Sequence, residues 1–225
     1  MKQAAHRAFT VVELLVVISI ITLLIAMLQP SLRSARESAR QAICGSQSRQ
    51  LAIAFTDYVI DNRRFPGVGG GGFSRSTTAP WVNCETGHHF NGFAGDPRTG
   101  VLFSYAHDPL VFRCPNDDGR DPYFPNYVPQ TFSYTLPWYW EYRKGEDVTR
   151  PSQYMLLLET GHSGASLGAK PDDGLYFPNM LVHDTPTNRH FNISATAVMG
   201  DTHVEFRDWN LFSPLPVDYF VLPPR

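Results

Sequence analysis

The sequence predicts an α+β protein. A long N-terminal α-helix, transmembrane in its first half and amphipathic in its second, packs on a small, mainly antiparallel β-sheet head with long loops. Three observations predict this. The run from Phe9 to Leu28 is apolar except for Thr10, Glu13, Ser19 and Thr22. Behind it, apolar or small residues recur every three or four positions as far as Val59. After Phe65, Pro and Gly interrupt the chain every few residues and leave only short strand-like segments. These periods are those of a membrane helix, an amphipathic helix and a loop-rich sheet domain. The expected divisions are a short N-terminal stretch (1–8), a membrane helix (9–30), a stalk helix (31–64) and a globular head (65–225).

The twenty residues from Phe9 to Leu28 make a helix about 30 Å long, the thickness of the hydrocarbon core. Lys2 and Arg7 precede it and Arg33, Arg36 and Arg40 follow it, so charge alone gives little orientation. A secretory signal peptide is expected to have a shorter apolar core and a small-x-small cleavage site. Here the run continues into Gln29-Pro30-Ser31-Leu32. A plain signal anchor does not require Glu13. An acid inside a membrane segment is costly and marks function. It needs a partner, or a position close enough to the headgroups to stay wet.

Pro30 interrupts the helical run and is expected to bend it. Beyond it, Leu32, Ala35, Ala39, Ala42, Ile43, Leu51, Ala54, Phe55, Tyr58 and Val59 are expected to face the head. The heptad pattern is too short-lived for a coiled coil. The helix is expected to end near Asn62, because Pro66 disfavours helix in the residue before it.

In the head, Gly67 to Gly72 lacks the Gly-Lys-Ser/Thr ending of a phosphate loop and reads as an ordinary loop. Strands are expected at Phe132–Thr135, Tyr154–Leu158, Ile193–Met199 and His203–Phe206. Gly200-Asp201 between the last two suggests a two-residue hairpin turn with Gly at its first central position.

Composition narrows the function. Nineteen Lys+Arg against 21 Asp+Glu leave no basic excess for nucleic acid. Cys44, Cys84 and Cys114 allow three single disulfides, among which the sequence does not choose. His88, His89, His162, His183, His190 and His203 are not at metal-ligand spacing, and no Cys-x-x-Cys occurs. No metal, no cofactor and no catalytic residue is expected. Ser163 lacks the strand–turn–helix context of a nucleophile, and Cys114 before Pro115 reads as a structural turn. The acidic stretches Asp172-Asp173-Gly174 and Asn116-Asp117-Asp118-Gly119 read as turns. The aromatics of Trp138-Tyr139-Trp140-Glu141-Tyr142 are expected to pack on the long helix, or else to form an exposed adhesive patch for a glycan or a neighbouring subunit.

Ala8-Phe9-Thr10-Val11-Val12-Glu13-Leu14-Leu15 resembles the N-terminal signature of type IV prepilins and type II secretion pseudopilins. The resemblance implies cleavage by prepilin peptidase between Ala8 and Phe9, N-methylation of Phe9, and Glu13 as the fifth mature residue. Pro30 falls where many pilins carry a helix-kinking proline. Ala8 stands where the family usually has Gly, and its small side chain keeps cleavage expected. In a bundle of such helices, Glu13 would pair with the free amine of a neighbouring Phe9 and set the axial register.

The head is similar to a pseudopilin-like family marked by a His, about nine residues, then Asp-Gly. The matching stretches are Val101–Tyr105, Val111–Pro115, Phe132–Tyr134, Pro151–Glu159, Arg189-His190 and Val198–Val204. Ten residues, not nine, separate His190 from Asp201, and Thr202 replaces the family Gly. Gly200 is expected to supply the lost flexibility.

The resemblance implies a structural filament subunit, anchored in the inner membrane with its head in the periplasm or outside. Its partners would be prepilin peptidase, other pilin or pseudopilin subunits, the inner-membrane assembly machinery and membrane lipid. Such a compartment preserves disulfides, so Cys114 with Cys84 or with Cys44 is expected. Some secretion pseudopilins bind calcium in the head, which makes it the one cofactor the resemblance adds. The competing reading is a single-pass anchored binding domain that uses its aromatic patch and never polymerises.

Overall fold

A computed structural model of the chain describes residues 10–67, 80–82, 96–118, 131–141, 143–161, 175–176, 185–186, 189–191 and 193–208. Its first element is a single α-helix, α1, Val11–Asn62, which runs unbroken through Pro30. Local chemistry sets both ends. Glu13 Oε2 accepts hydrogen bonds from Thr10 N (2.9 Å) and Thr10 Oγ1 (2.7 Å), and Glu13 N donates to Thr10 Oγ1 at 3.2 Å. This reciprocal cap satisfies backbone donors that the first turn leaves open. At the other end Arg63 takes a left-handed φ of 61°, and its N–H bonds Val59 O at 2.8 Å. The helix therefore stops in a left-handed cap three residues before Pro66.

The apolar half of α1 is long and apolar enough to cross a membrane. Its two internal hydroxyls need no outside partner. Ser19 Oγ and Thr22 Oγ1 each donate at 2.7 Å to the carbonyl four residues earlier, Leu15 O and Ile18 O.

The chain divides into two compact units, Met1–Ala39 and Arg40–Arg225. The end of α1 thus belongs to the same unit as the head. The buried stripe is Cys44, Ser48, Leu51, Ala52, Ala54 and Phe55. Leu32, Ala35, Ala39, Ala42 and Ile43, expected to face the head, are exposed. Among the described residues, burial on the helix begins at Cys44.

The head sheet is formed by β1 (Tyr134–Pro137), β2 (Met155–Gly161), β3 (Leu175–Tyr176), β4 (Thr185–Pro186), β5 (Ala195–Met199) and β6 (Val204–Arg207). The order is β3-β1-β2-β5-β6, and β4 also pairs with β2. Only β1–β3 is parallel. The expected strands are found with edges shifted by at most three residues. Residues of β1 and β5 are buried throughout, while the edge strand β6 is half-exposed.

Trp81 anchors the core. Its ring lies 5.5 Å from Phe55, 6.3 Å from Phe112 and 6.0 Å from Phe132. Gly100 permits this packing, because a Cβ there would stand 2.1 Å from Trp81 O.

The β5–β6 turn differs from the two-residue turn expected. Thr202 N bonds Met199 O and Met199 N bonds His203 O, both at 2.9 Å, enclosing three residues. The left-handed residue is Thr202, at φ 71°, as in a turn that ends in a glycine-type bulge. Gly200 does not supply that conformation. It is small for another reason: a Cβ would lie 2.9 Å from Pro151 O and 3.2 Å from the Trp140 ring.

Candidate functional site

Four chemically active side chains from four separate segments meet in the interior of the head. Cys44 comes from the buried stripe of α1, Cys114 from the turn after the 3-10 helix Pro109–Phe112, Glu159 from β2 and His190 from the segment before β5. Their donor atoms all lie within 4.8 Å of one another. Each residue is at most 1% exposed.

The surrounding backbone fixes each one. Cys114 O accepts from Asp117 N at 2.9 Å, closing a turn with Pro115 in its second position. Cys114 N donates to Ser133 Oγ (2.9 Å), and Ser133 Oγ in turn donates to Asp117 Oδ2 (2.6 Å). Glu159 Oε2 accepts from Thr196 N of β5 at 2.9 Å. Arg189 bridges the two acids, 3.0 Å from Asp117 Oδ2 and 3.4 Å from Glu159 Oε1, and also donates to Thr160 O at 2.9 Å. His190 Nε2 is 3.5 Å from Cys114 Sγ and 3.6 Å from Glu159 Oε2. Its Nδ1 lies 3.4 Å from Asn116 Nδ2. Phe206 of β6 covers the ring edge-on at 5.8 Å. Cys44 Sγ is 2.9 Å from Tyr134 Oη and 3.3 Å from Thr196 Oγ1.

The electrostatics follow from this crowding. A hydrogen bond from the Cys114 thiol holds Cys44 down to about 6, against burial, which pushes it up. Cys114 is pushed far up by that same bond to Cys44 and by burial. The two sulfurs thus give up a first proton readily and a second with difficulty. Burial also raises Tyr134 well above its ordinary value. For Arg189 burial works against the charge, but Asp117 and Glu159 outweigh it and keep the guanidinium protonated.

The sequence flagged Cys44, Cys114 and His190 separately, and Glu159 only as the last residue of the matching stretch Pro151–Glu159. Both cysteines are free thiols here. Cys84, Ala8 and Phe9 lie outside the described residues, as do His88, His89, His162, His183, Asp172, Asp173 and Asp184. His190 and Asp201 do not come together: they stand at opposite ends of β5, and Asp201 instead accepts from His203 N at 3.2 Å. Asp117 is committed to Arg189 and Ser133.

Tyr139 and Trp140 are buried and donate to Met155 O at 2.7 and 2.6 Å. The register slip in β2 between Met155 and Leu157 turns that carbonyl toward them. Trp140 packs on Phe65 at 4.4 Å. These two rings serve the core beside β2, not an adhesive surface. Tyr142 lies outside the described residues.

Comparison with family models, with curated proteins and with solved structures finds no match for this chain. Its fold and site define the class: an α+β protein with, among the described residues, one candidate membrane-spanning helix and a buried Cys–Cys–Glu–His cluster.

Proposed function

We propose that this chain is a structural subunit of a type II secretion pseudopilus or a type IV pilus-like filament. Prepilin peptidase cuts between Ala8 and Phe9, Phe9 is N-methylated, and the subunit waits in the inner membrane with its head outside the cytoplasm. Assembly machinery then extracts it into a filament whose core is a bundle of α1 helices.

One observation carries the reading. An apolar helix preceded by the Ala8-Phe9 site and bearing Glu13 in its first turn continues without a break into the helix that supports the head. Large apolar side chains from Val11 to Leu28 are all exposed, and lipid before assembly and sister helices after it would cover them. The Thr10–Glu13 cap holds the carboxylate at the helix N-terminus, and Phe9, whose amine cleavage would free, precedes Thr10 in the sequence. A neighbouring amine entering there meets a placed acid, which would set the register.

The test is incorporation. A Glu13→Ala chain is expected to be cleaved normally but to be missing from sheared filaments, as read by immunoblotting of membrane and filament fractions. Normal incorporation of that chain would refute the register role.

A further inference from the structure

We propose that Cys44, Cys114, Glu159 and His190 form a closed tetrahedral site for a structural zinc ion. The geometry points to it first. In a tetrahedral site, metal–sulfur bonds of about 2.3 Å and metal–nitrogen or metal–oxygen bonds of about 2.0–2.1 Å set ligand–ligand separations of about 3.3–3.8 Å. The pairs His190 Nε2–Cys114 Sγ at 3.5 Å and His190 Nε2–Glu159 Oε2 at 3.6 Å fall inside that range. All four donor atoms are mutually within 4.8 Å, so small side-chain adjustments close the shell.

The donor set selects the metal. Two thiolates, an imidazole and a carboxylate suit zinc and other borderline cations. Calcium requires six to eight oxygens, and this cluster offers one carboxylate. The site is closed, with four protein ligands at most 1% exposed, which is the arrangement of a structural ion.

Partners outside the shell already aim the ligands. Thr196 N and Arg189 hold the Glu159 carboxylate, and Tyr134 and Thr196 contact Cys44 Sγ. Such outer contacts orient metal ligands and tune their basicity. On binding, both thiols lose their protons to solvent and His190 ligates through Nε2, with its remaining proton on Nδ1. For the Asn116 carboxamide beside Nδ1 to accept a hydrogen bond from it, the amide must turn and give up both its 3.0 Å bond to Arg189 O and the 3.4 Å contact from Arg40. The ion would tie α1, the Cys114 turn, β2 and the segment before β5 into one unit. This inference does not depend on filament assembly.

The test uses the full chain in detergent, carrying Cys84→Ser so that only two thiols remain, and purified without chelator. Elemental mass spectrometry is expected to find one zinc per chain. Cobalt(II) loading should give the intense visible bands of a tetrahedral ion with sulfur-to-metal charge transfer. Cys114→Ser and Glu159→Gln should each lower metal affinity by about tenfold or more, with circular dichroism checking the fold. Should either variant fail to fold, metal content and the cobalt spectrum of the Cys84→Ser chain decide alone. A Cys44–Cys114 disulfide in protein recovered from the membrane would overturn the proposal. So would a folded, reduced chain that takes up neither zinc nor cobalt.

Discussion

The two halves of α1 share one secondary structure and present opposite surfaces. From Val11 to Leu28 the large apolar side chains are exposed, with Leu23 at 57%, whereas Cys44, Leu51 and Phe55 are at 0%. Helix formation is therefore not what distinguishes them. Backbone bonds, the Thr10–Glu13 cap and the left-handed Arg63 serve the whole length. What differs is the supply of partners. The head packs Trp81 on Phe55, sets Phe132 against Trp81, and supplies Tyr134 and Thr196 to Cys44. Among the described residues, the large apolar side chains of the first turns stay exposed.

That contrast can be tested by paired truncations. Phe55→Ala should cost the head about 3–5 kcal/mol, the loss expected for a buried aromatic. Leu23→Ala should change head unfolding by no more than about 0.5 kcal/mol, as for exposed sites. Urea unfolding of the full chain in detergent, followed by tryptophan fluorescence, reads both. Equal effects would remove the distinction between the two halves.

A smaller effect sharpens the account of the head itself. Thr202 is a β-branched residue held at φ 71°, a conformation that costs a non-glycine residue roughly 1–2 kcal/mol. Thr202→Gly should stabilise the head by about 1 kcal/mol, part of the relief being offset by greater unfolded-chain freedom. A denaturation midpoint that does not rise would place the strain elsewhere.

The smallest effect lies on β6 and its turn. His203 is raised above its ordinary value of 6.5 by a hydrogen bond with Glu205, against burial, and by Asp201. Burial pushes Glu205 up, but His203 and Arg207 together outweigh it and hold the carboxyl below its usual range. Because the folded value of His203 is the higher one, its contribution is complete below the unfolded value. It is lost as pH rises through the folded value. His203→Gln should flatten the dependence of Tm on pH in that window, by a small amount because the pair is partly exposed. An unchanged slope would contradict the pairing.

Much of the fold was legible because it rests on short-range rules. The period of α1, the Pro66 stop and the alternation of strand and turn around Gly200 are all local. The limits were equally physical. The spacing that marks Leu32 and Ile43 as a helix face does not say where burial begins, and the buried stripe begins at Cys44. The turn type depended on Gly200 being small for Pro151 and Trp140, a contact across the fold. The cysteine cluster was the least legible part. Residues 44, 114, 159 and 190 have no motif spacing, because the sheet and helix bring them together, not the chain. One signal was available: Glu159 closes the apolar run Met155–Leu158, and an acid ending a buried strand needs partners.

The central claim is that the exposed apolar half of α1 belongs to a processed filament subunit. Intact mass spectrometry of the protein extracted from the membrane of a host with prepilin peptidase tests it most directly. The account predicts a chain lacking Met1 to Ala8 and beginning with N-methylated Phe9. A chain that retains those eight residues in the presence of active peptidase would contradict it.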